Sequence, residues 1–258
     1  MSSTLFDLKG KVALVTGATG GLGLAIAQAM ADHGASVLAS DLDPVLCARL
    51  VERIRRSGGV AHDLPADLSK VEGAAALAAA AQAVYGRVDV LVCNAGMQGP
   101  AGPIGQASPA DWQRVMDLNL RAAMELTTAL LPKMAANPGS SVVLMSSIAG
   151  LRGNKTIGLY GLSKAALAQL ARNLAVEWGP LGVRVNSISP GLIRTPLSAS
   201  FIDNPAAIER RLSLTPLRRV GEPQEIAGVA VMLASAAGGF ITGHNLVVDG
   251  GTTISDGN

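Results

Sequence analysis

Short runs rich in β-branched residues alternate along this chain with longer stretches of helical period, and that alternation constrains the fold more than any other feature. The runs Val12 to Thr16, Ser36 to Ser40, Val60 to Leu64, Val90 to Cys93, Ser141 to Ser146, Val183 to Ile188 and Asn245 to Val248 read as strands, each bounded by Gly, Asn, Asp or Pro. Between them Leu22, Ala25, Ile26, Ala29 and Met30 recur at helical spacing, as do Leu167, Leu170, Leu174 and Trp178. The strand runs are apolar throughout and do not alternate with polar residues, so burial on both faces is expected. Repeated strand–helix units of this kind predict an α/β fold, a seven-stranded parallel sheet flanked by helices on both faces.

No linker, repeat or low-complexity tract divides the 258 residues, so one domain over 1–258 is expected. Hydrophobic residues make up 49% of the chain. The longest greasy stretch, Ala74 to Val84, is interrupted by Gln82 and falls short of the roughly 18 apolar residues a membrane helix needs. A net charge of +2 and 3% aromatic residues argue against nucleic-acid binding. Two cysteines, Cys47 and Cys93, make no disulfide framework, and no leader pattern is evident; a cytoplasmic setting is expected. His33, His62 and His244 are scattered without ligand spacing, so no metal is expected.

The first strand runs into Thr16-Gly17-Ala18-Thr19-Gly20-Gly21-Leu22-Gly23 and then directly into a helix. Glycines let the backbone turn tightly and approach a pyrophosphate, and the helix N-terminus supplies free N–H groups. Strand, glycine loop and helix in this order predict a Rossmann-type dinucleotide site at Gly17, Thr19, Gly20, Gly21, Leu22 and Gly23. Eighteen residues beyond Gly23 the second strand ends at Asp41-Leu42. A carboxylate there can accept bonds from the ribose hydroxyls and repels a 2′-phosphate, and the loop has no Arg or Lys to grip one, so NAD(H) is expected over NADP(H). Asp41 could instead cap the next helix, a role that Asp43 before Pro44 fills better. Asp67-Leu68 and Asn94-Ala95-Gly96 follow the third and fourth strands and are expected beside the cofactor.

Tyr160 and Lys164 lie at i and i+4, so the ammonium can approach the phenol and favour phenolate. Ser147 precedes Tyr160 by thirteen residues, just past the fifth strand. With these residues, the Thr-Gly-x-x-x-Gly-x-Gly loop, the Asn-Ala-Gly turn, Asn119 in Asp117-Leu118-Asn119-Leu120, and Pro190-Gly191, the chain resembles the short-chain dehydrogenase/reductase family from Lys9 to about Thr253. The resemblance implies that Tyr160 exchanges a proton with the substrate oxygen, that Lys164 lowers its pKa and holds the nicotinamide ribose, and that Ser147 stabilises charge on the reacting oxygen. It implies that Asn119, in the middle of a long helix, holds a water linking Lys164 to solvent, although a helix kink or a buried amide would also account for an asparagine there. It also places Pro190, Gly191, Ile193 and Thr195 at the nicotinamide carboxamide. One departure is Cys93, where most members carry a second asparagine; it reads as a small buried hydrophobe, and local hydrogen bonding is the property it puts at issue.

The reading is an NAD-dependent oxidoreductase interconverting a secondary alcohol and a ketone. Alternatives are a 3-oxoacyl-thioester-type reductase, a gluconate-like sugar-acid dehydrogenase, and, from another class, a non-catalytic NAD-binding regulator. Substrate specificity is expected in the loops 97–109, 151–158 and 192–223, where Gln98 and Arg152 are candidate substrate contacts and Arg152 could hold a carboxylate. The four arginines from Arg210 to Arg219 could serve a phosphate or CoA tail, but a solvated helix face is the expectation. The resemblance implies a homotetramer. The apolar surfaces Leu118, Ala122, Leu126, Leu130 and Leu162, Ala166, Leu170, Leu174 agree with it, although an intramolecular core would use the same residues.

Overall fold

The computed structural model describes residues 4–255. In chain order its elements are β1 (Val12–Thr16), α1 (Gly21–Asp32), β2 (Ser36–Ser40), α2 (Pro44–Arg56), β3 (Val60–Asp63), α3 (Gly73–Tyr85) and β4 (Val90–Cys93). There follow α4 (Pro109–Met116), α5 (Ala122–Met134), β5 (Ser141–Met145), α6 (Gly158–Trp178), β6 (Arg184–Pro190), α7 (Ala199–Ile202), α8 (Pro205–Ser213), α9 (Pro223–Ala234) and β7 (Asn245–Val248). The strands form one parallel sheet in the order β3-β2-β1-β4-β5-β6-β7. Strand order therefore reverses between β1 and β4, and the crevice at that point opens at the carboxyl ends of the strands.

Two cores explain why the strand runs are apolar throughout. Ala13 and Val15 of β1 face one side, where Ile26 and Met30 of α1 pack with Ile226 and Val231 of α9. Val12 and Leu14 face the other, against Leu77 of α3, Leu126 and Leu130 of α5, and Leu167 and Leu174 of α6. The expectation of double burial holds for β1, β4 and β5 and fails at the two edges. Val60 of β3 is 50% exposed and Val247 of β7 is 42% exposed, because an edge strand has a neighbour on one side only.

Asp43 caps α2, its Oδ1 accepting from the backbone N–H groups of Val45 and Leu46 at 2.8 and 3.2 Å, which leaves Asp41 free of that duty. Asn119 sits, as expected, in the middle of a continuous helical run from Pro109 to Met134, but that run is not α-helical throughout. Asp117–Arg121 is a π-helical segment that joins α4 to α5, the wider turn in which backbone geometry is re-aimed. The apolar surfaces first linked to assembly are largely core: Ala122, Leu126, Leu130 and Leu174 are buried within the chain, whereas Leu162 is 45% exposed. The segment 192–223, read as a loop, carries the two short helices α7 and α8. Among the described residues no helix is long and apolar enough to cross a membrane.

Candidate active site

A cavity of about 900 Å³ runs along the strand ends, from Asp41 and Asp67 past the glycine loop to Ser147, Tyr160 and Lys164. At its first end the chain makes room with backbone. Gly17 has φ +62°, and a Cβ there would lie 2.9 Å from the Cα of Ala95. Above Gly20 a Cβ would meet nothing within 4 Å, so that ground is open. The start of α1 has no side-chain cap, which leaves its first N–H groups for a ligand. Asn94 fastens the loop, its Nδ2 donating to the carbonyls of Thr16 and Gly17 at 3.1 and 2.9 Å. The Thr16 hydroxyl accepts from the backbone N–H groups of Asn94 and Ala95, both at 3.1 Å. These bonds are complete with Cys93 in place, so the departure at that position leaves the loop intact.

Asp41 projects into the same end. Its Oδ2 accepts from the Thr19 N–H at 3.0 Å and the Thr19 hydroxyl at 2.6 Å, and its Oδ1 from the Leu42 N–H at 2.7 Å. Bonds from the Ser69 side chain and backbone hold the Asp67 carboxyl below the usual carboxylate range. Open ground over glycine, uncapped helix N–H groups and an acceptor carboxylate at the far end are what a dinucleotide requires, and these residues fit one.

At the other end, α6 is pressed against the turn that carries Ser147. A Cβ on Gly150 would lie 2.6 Å from the Ala165 nitrogen, and one on Gly161 would lie 2.6 Å from the Ala149 carbonyl oxygen. Two glycines thus allow the close approach that brings Tyr160 and Ser147 to the same cavity wall. The Ser146 hydroxyl donates to the Lys164 carbonyl at 2.7 Å and fixes the helix further.

Lys164 is 3% exposed; its Nζ donates to the Met145 carbonyl at 2.8 Å and stands 5.4 Å from the centroid of the Tyr160 ring. Burial pushes this ammonium down to about 8, against a small opposing effect of Cys93. Burial likewise pushes the Cys93 thiol up to about 12, as a buried hydrophobe would behave. The Tyr160 phenol is pushed above its ordinary value by burial, with the Ser147 side chain opposing. Within the protein alone, therefore, burial sets the direction at Tyr160, and the lowering by Lys164 that the i, i+4 spacing suggested does not contribute.

Almost every residue expected at the site lines this one cavity: Gly17, Thr19, Gly20, Gly21, Leu22, Asp41, Leu42, Asp67, Leu68, Asn94, Ala95, Gly96, Gln98, Ser147, Arg152, Tyr160, Lys164, Pro190, Gly191, Ile193 and Thr195. Gly23 and Asn119 do not. Gly23 is a packing glycine, since a Cβ there would fall 1.9 Å from the Gly17 carbonyl oxygen. Asn119 lies behind the wall, its Oδ1 accepting from the Met97 N–H at 2.8 Å and its Nδ2 donating to the Met97 carbonyl and the Ser163 hydroxyl, both at 2.9 Å. The sequence reading missed Phe201 and Asn204 from the 192–223 segment, and left Arg211 undistinguished among its neighbours. Only the position of that segment after the sixth strand pointed to them.

A family model described as enoyl-(acyl carrier protein) reductase matches residues 17–253. The bovine dehydrogenase/reductase SDR family member 4 is 37% identical over 245 residues, covering 95% of this chain and 88% of its own. A solved 7α-hydroxysteroid dehydrogenase, complexed with NADH and 7-oxo glycochenodeoxycholic acid, superposes with a TM-score of 0.92 at 37% identity over 97% of each chain. A gluconate 5-dehydrogenase from Burkholderia cenocepacia, in complex with NADP and tartrate, gives 0.93 at 30% identity over 98% of each chain. The chain belongs to the short-chain dehydrogenase/reductase family. It is an oxidoreductase of the kind that works between alcohol and carbonyl with a nicotinamide cofactor.

Proposed function

We propose that the protein is an NAD-preferring dehydrogenase that interconverts a secondary alcohol and a ketone, with Tyr160 as the proton-transferring group. One observation carries this: a single cavity has Asp41 at one end and Ser147, Tyr160 and Lys164 at the other. At the first end Gly17, Thr19, Gly20, Gly21 and Leu22 offer backbone to a pyrophosphate, and Asp41 with Leu42 meets the adenosine ribose, sharing the acceptor oxygen now given to Thr19. Asp67 and Leu68 flank the adenine, Asn94, Ala95 and Gly96 line the middle, and Pro190, Gly191, Ile193 and Thr195 face the nicotinamide carboxamide. Relatives of similar identity are described with NADH and with NADP, so the preference rests on the Asp41 carboxylate and the absence of a loop cation.

When bound, the nicotinamide supplies or accepts the hydride. Ser147 donates a hydrogen bond to the reacting oxygen and stabilises its charge. Tyr160 gives that oxygen a proton in the reductive direction and removes it in the oxidative one. Its raised pKa keeps the phenol protonated at neutral pH, so oxidation quickens as pH rises. The Lys164 ammonium spends one hydrogen on Met145 and has two left for the ribose hydroxyls. Asn119 ties the Met97 loop to α6, and its Oδ1 retains a lone pair for a water. A Cβ on Gly96 would lie 3.1 Å from that oxygen and 3.4 Å from the Lys164 Nζ, so Gly96 leaves room between them. Trp112, Met124, Leu162 and Val176 stay exposed on α4, α5 and α6, which supports assembly of a homotetramer through these helices.

The test is NAD⁺ reduction across polyols, sugar acids, hydroxy acids and steroids, with Tyr160→Phe as the control. The variant should bind NADH within a few-fold of wild type and lose about 10²–10⁴ in turnover. Near wild-type turnover by Tyr160→Phe would refute the assignment.

A further inference from the structure

The charged residues that line the cavity are sorted by sign. Asp41 and Asp67 lie at the adenosine end, while Arg152, Lys164 and Arg211 lie at the reaction end. Lys164 is accounted for by its bond to Met145 and its place over Tyr160. The two arginines are not. Arg152 follows the Ser147 turn, and Arg211 stands in the last turn of α8. Both are half-buried, and neither forms an ion pair or a side-chain hydrogen bond among the described residues. The Nε of Arg211 is fully buried with no acceptor.

The neighbouring arginines behave differently, which makes this pair distinctive. Arg219 pairs with Glu225, Arg218 donates to the Ser213 carbonyl, and Arg210 is exposed. Arg211 alone of that group turns into the cavity. Burial pushes its guanidinium down to about 10, the like charge of Arg152 adds to the effect, and Asp249 opposes it. The Asp249 carboxylate is itself engaged by the N–H groups of Gly251 and Thr253 at 2.8 and 2.7 Å. Two guanidiniums close enough to repel, partly desolvated and without a carboxylate partner, carry a cost that a bound anion would relieve. A planar carboxylate is the anion that guanidinium forks match best.

We propose that Arg152 and Arg211 together receive the carboxylate of the substrate, so that the molecule oxidised or reduced at Ser147 and Tyr160 is a hydroxy acid or its oxo counterpart. The proposal rests on the alcohol–ketone reading of the same site and narrows it. It assigns a substrate role to α8, an element whose other arginine, Arg210, is solvent-facing.

The experiment reads binding alone. Wild type, Arg152→Gln, Arg211→Gln and Arg211→Lys, each saturated with NADH, are titrated calorimetrically with D-gluconate against sorbitol and with 3-hydroxybutyrate against 1,3-butanediol. Inorganic phosphate is a further arm. At least one acid should bind about tenfold or more tighter than its neutral partner, and each Gln variant should abolish that advantage while Arg211→Lys recovers part of it. NADH affinity should stay within about twofold throughout. The proposal is overturned if neither acid outbinds its neutral partner, or if the Gln variants bind acids as wild type does. It is equally overturned if phosphate binds tighter than both acids, or if the variants lose NADH, which would assign the pair to the cofactor. In a separate NAD⁺ reduction assay with the same acids, arginine-dependent binding without oxidation of any acid would leave the anion site standing and count against the alcohol–ketone reading instead.

Discussion

The two ends of the cavity are built by different means. The adenosine end is made of backbone: Gly17 at positive φ, open ground over Gly20, an uncapped helix start, and one carboxylate, Asp41. The reaction end is made of side chains drawn from separate elements: Ser147 after β5, Tyr160 and Lys164 on α6, and Arg211 on α8. A backbone site tolerates little change in shape, because its ligand contacts depend on how closely chain segments approach. A side-chain site tolerates a new shape but depends on charge and proton inventory. The first end is therefore sensitive to a single methyl group and the second to a single ionisable atom.

The largest break in that contrast should come from Gly17→Ala. The new Cβ would lie 2.9 Å from both the Ala95 Cα and the Asn94 Nδ2, at a φ of +62°. A destabilisation of about 1–3 kcal/mol is expected from the strained backbone, together with loss of most NADH affinity, both read from thermal melts and fluorescence titration. Unchanged affinity would show that the loop can relax away from Asn94. At the same end, Asp41→Asn keeps the shape and removes the charge. It should narrow any NADH over NADPH preference by about tenfold, equivalent to ~1.4 kcal/mol, and cost about 1 kcal/mol of stability, because an amide has one acceptor oxygen where the carboxylate uses two.

A smaller effect should follow at the reaction end from Lys164→Met, which removes a desolvated ammonium. With the folded-state pKa at about 8 and the ordinary value at 10.5, the unfolded chain binds the extra proton between those limits. Wild-type stability attributable to this group is therefore lowest below pH 8 and recovers as pH rises through the window. The variant should melt about 2–4 °C higher than wild type at pH 7, and the gap should close toward pH 10. It should also lose activity, a gain in stability at the cost of function. A gap that widens with pH would reverse the sign of the burial effect.

The same division decides what could be read in the amino-acid order. Close backbone approach demands glycine, and glycine at fixed spacing after a β-branched run is visible without coordinates; this is why the loop, Asp41 and the Asn94-Ala95-Gly96 turn were placed. The i, i+4 relation of Tyr160 and Lys164 is similarly local. Gly23 packs against the Gly17 carbonyl and does not line the cavity, and a packing glycine and a ligand-facing glycine look alike in sequence; the 1.9 Å approach tells them apart only in three dimensions. Asn119 was recognised, but its π-helical turn was not, since nothing in Asp117-Leu118-Asn119-Leu120 breaks the helical period. Arg211 was lost among four arginines because its direction depends on how α8 packs over the cavity, a contact distant in sequence from Arg152. The edges β3 and β7 were read as doubly buried because strand order, which sets the edges, is carried by no local pattern.

Paired fluorescence titration of the wild-type protein with NADH and NADPH tests the central claim most directly, because it asks whether the acidic end of the cavity chooses the cofactor. The Asp41 carboxylate should make NADH bind about tenfold or more tighter than NADPH. Equal affinity, or tighter binding of NADPH, would contradict the account.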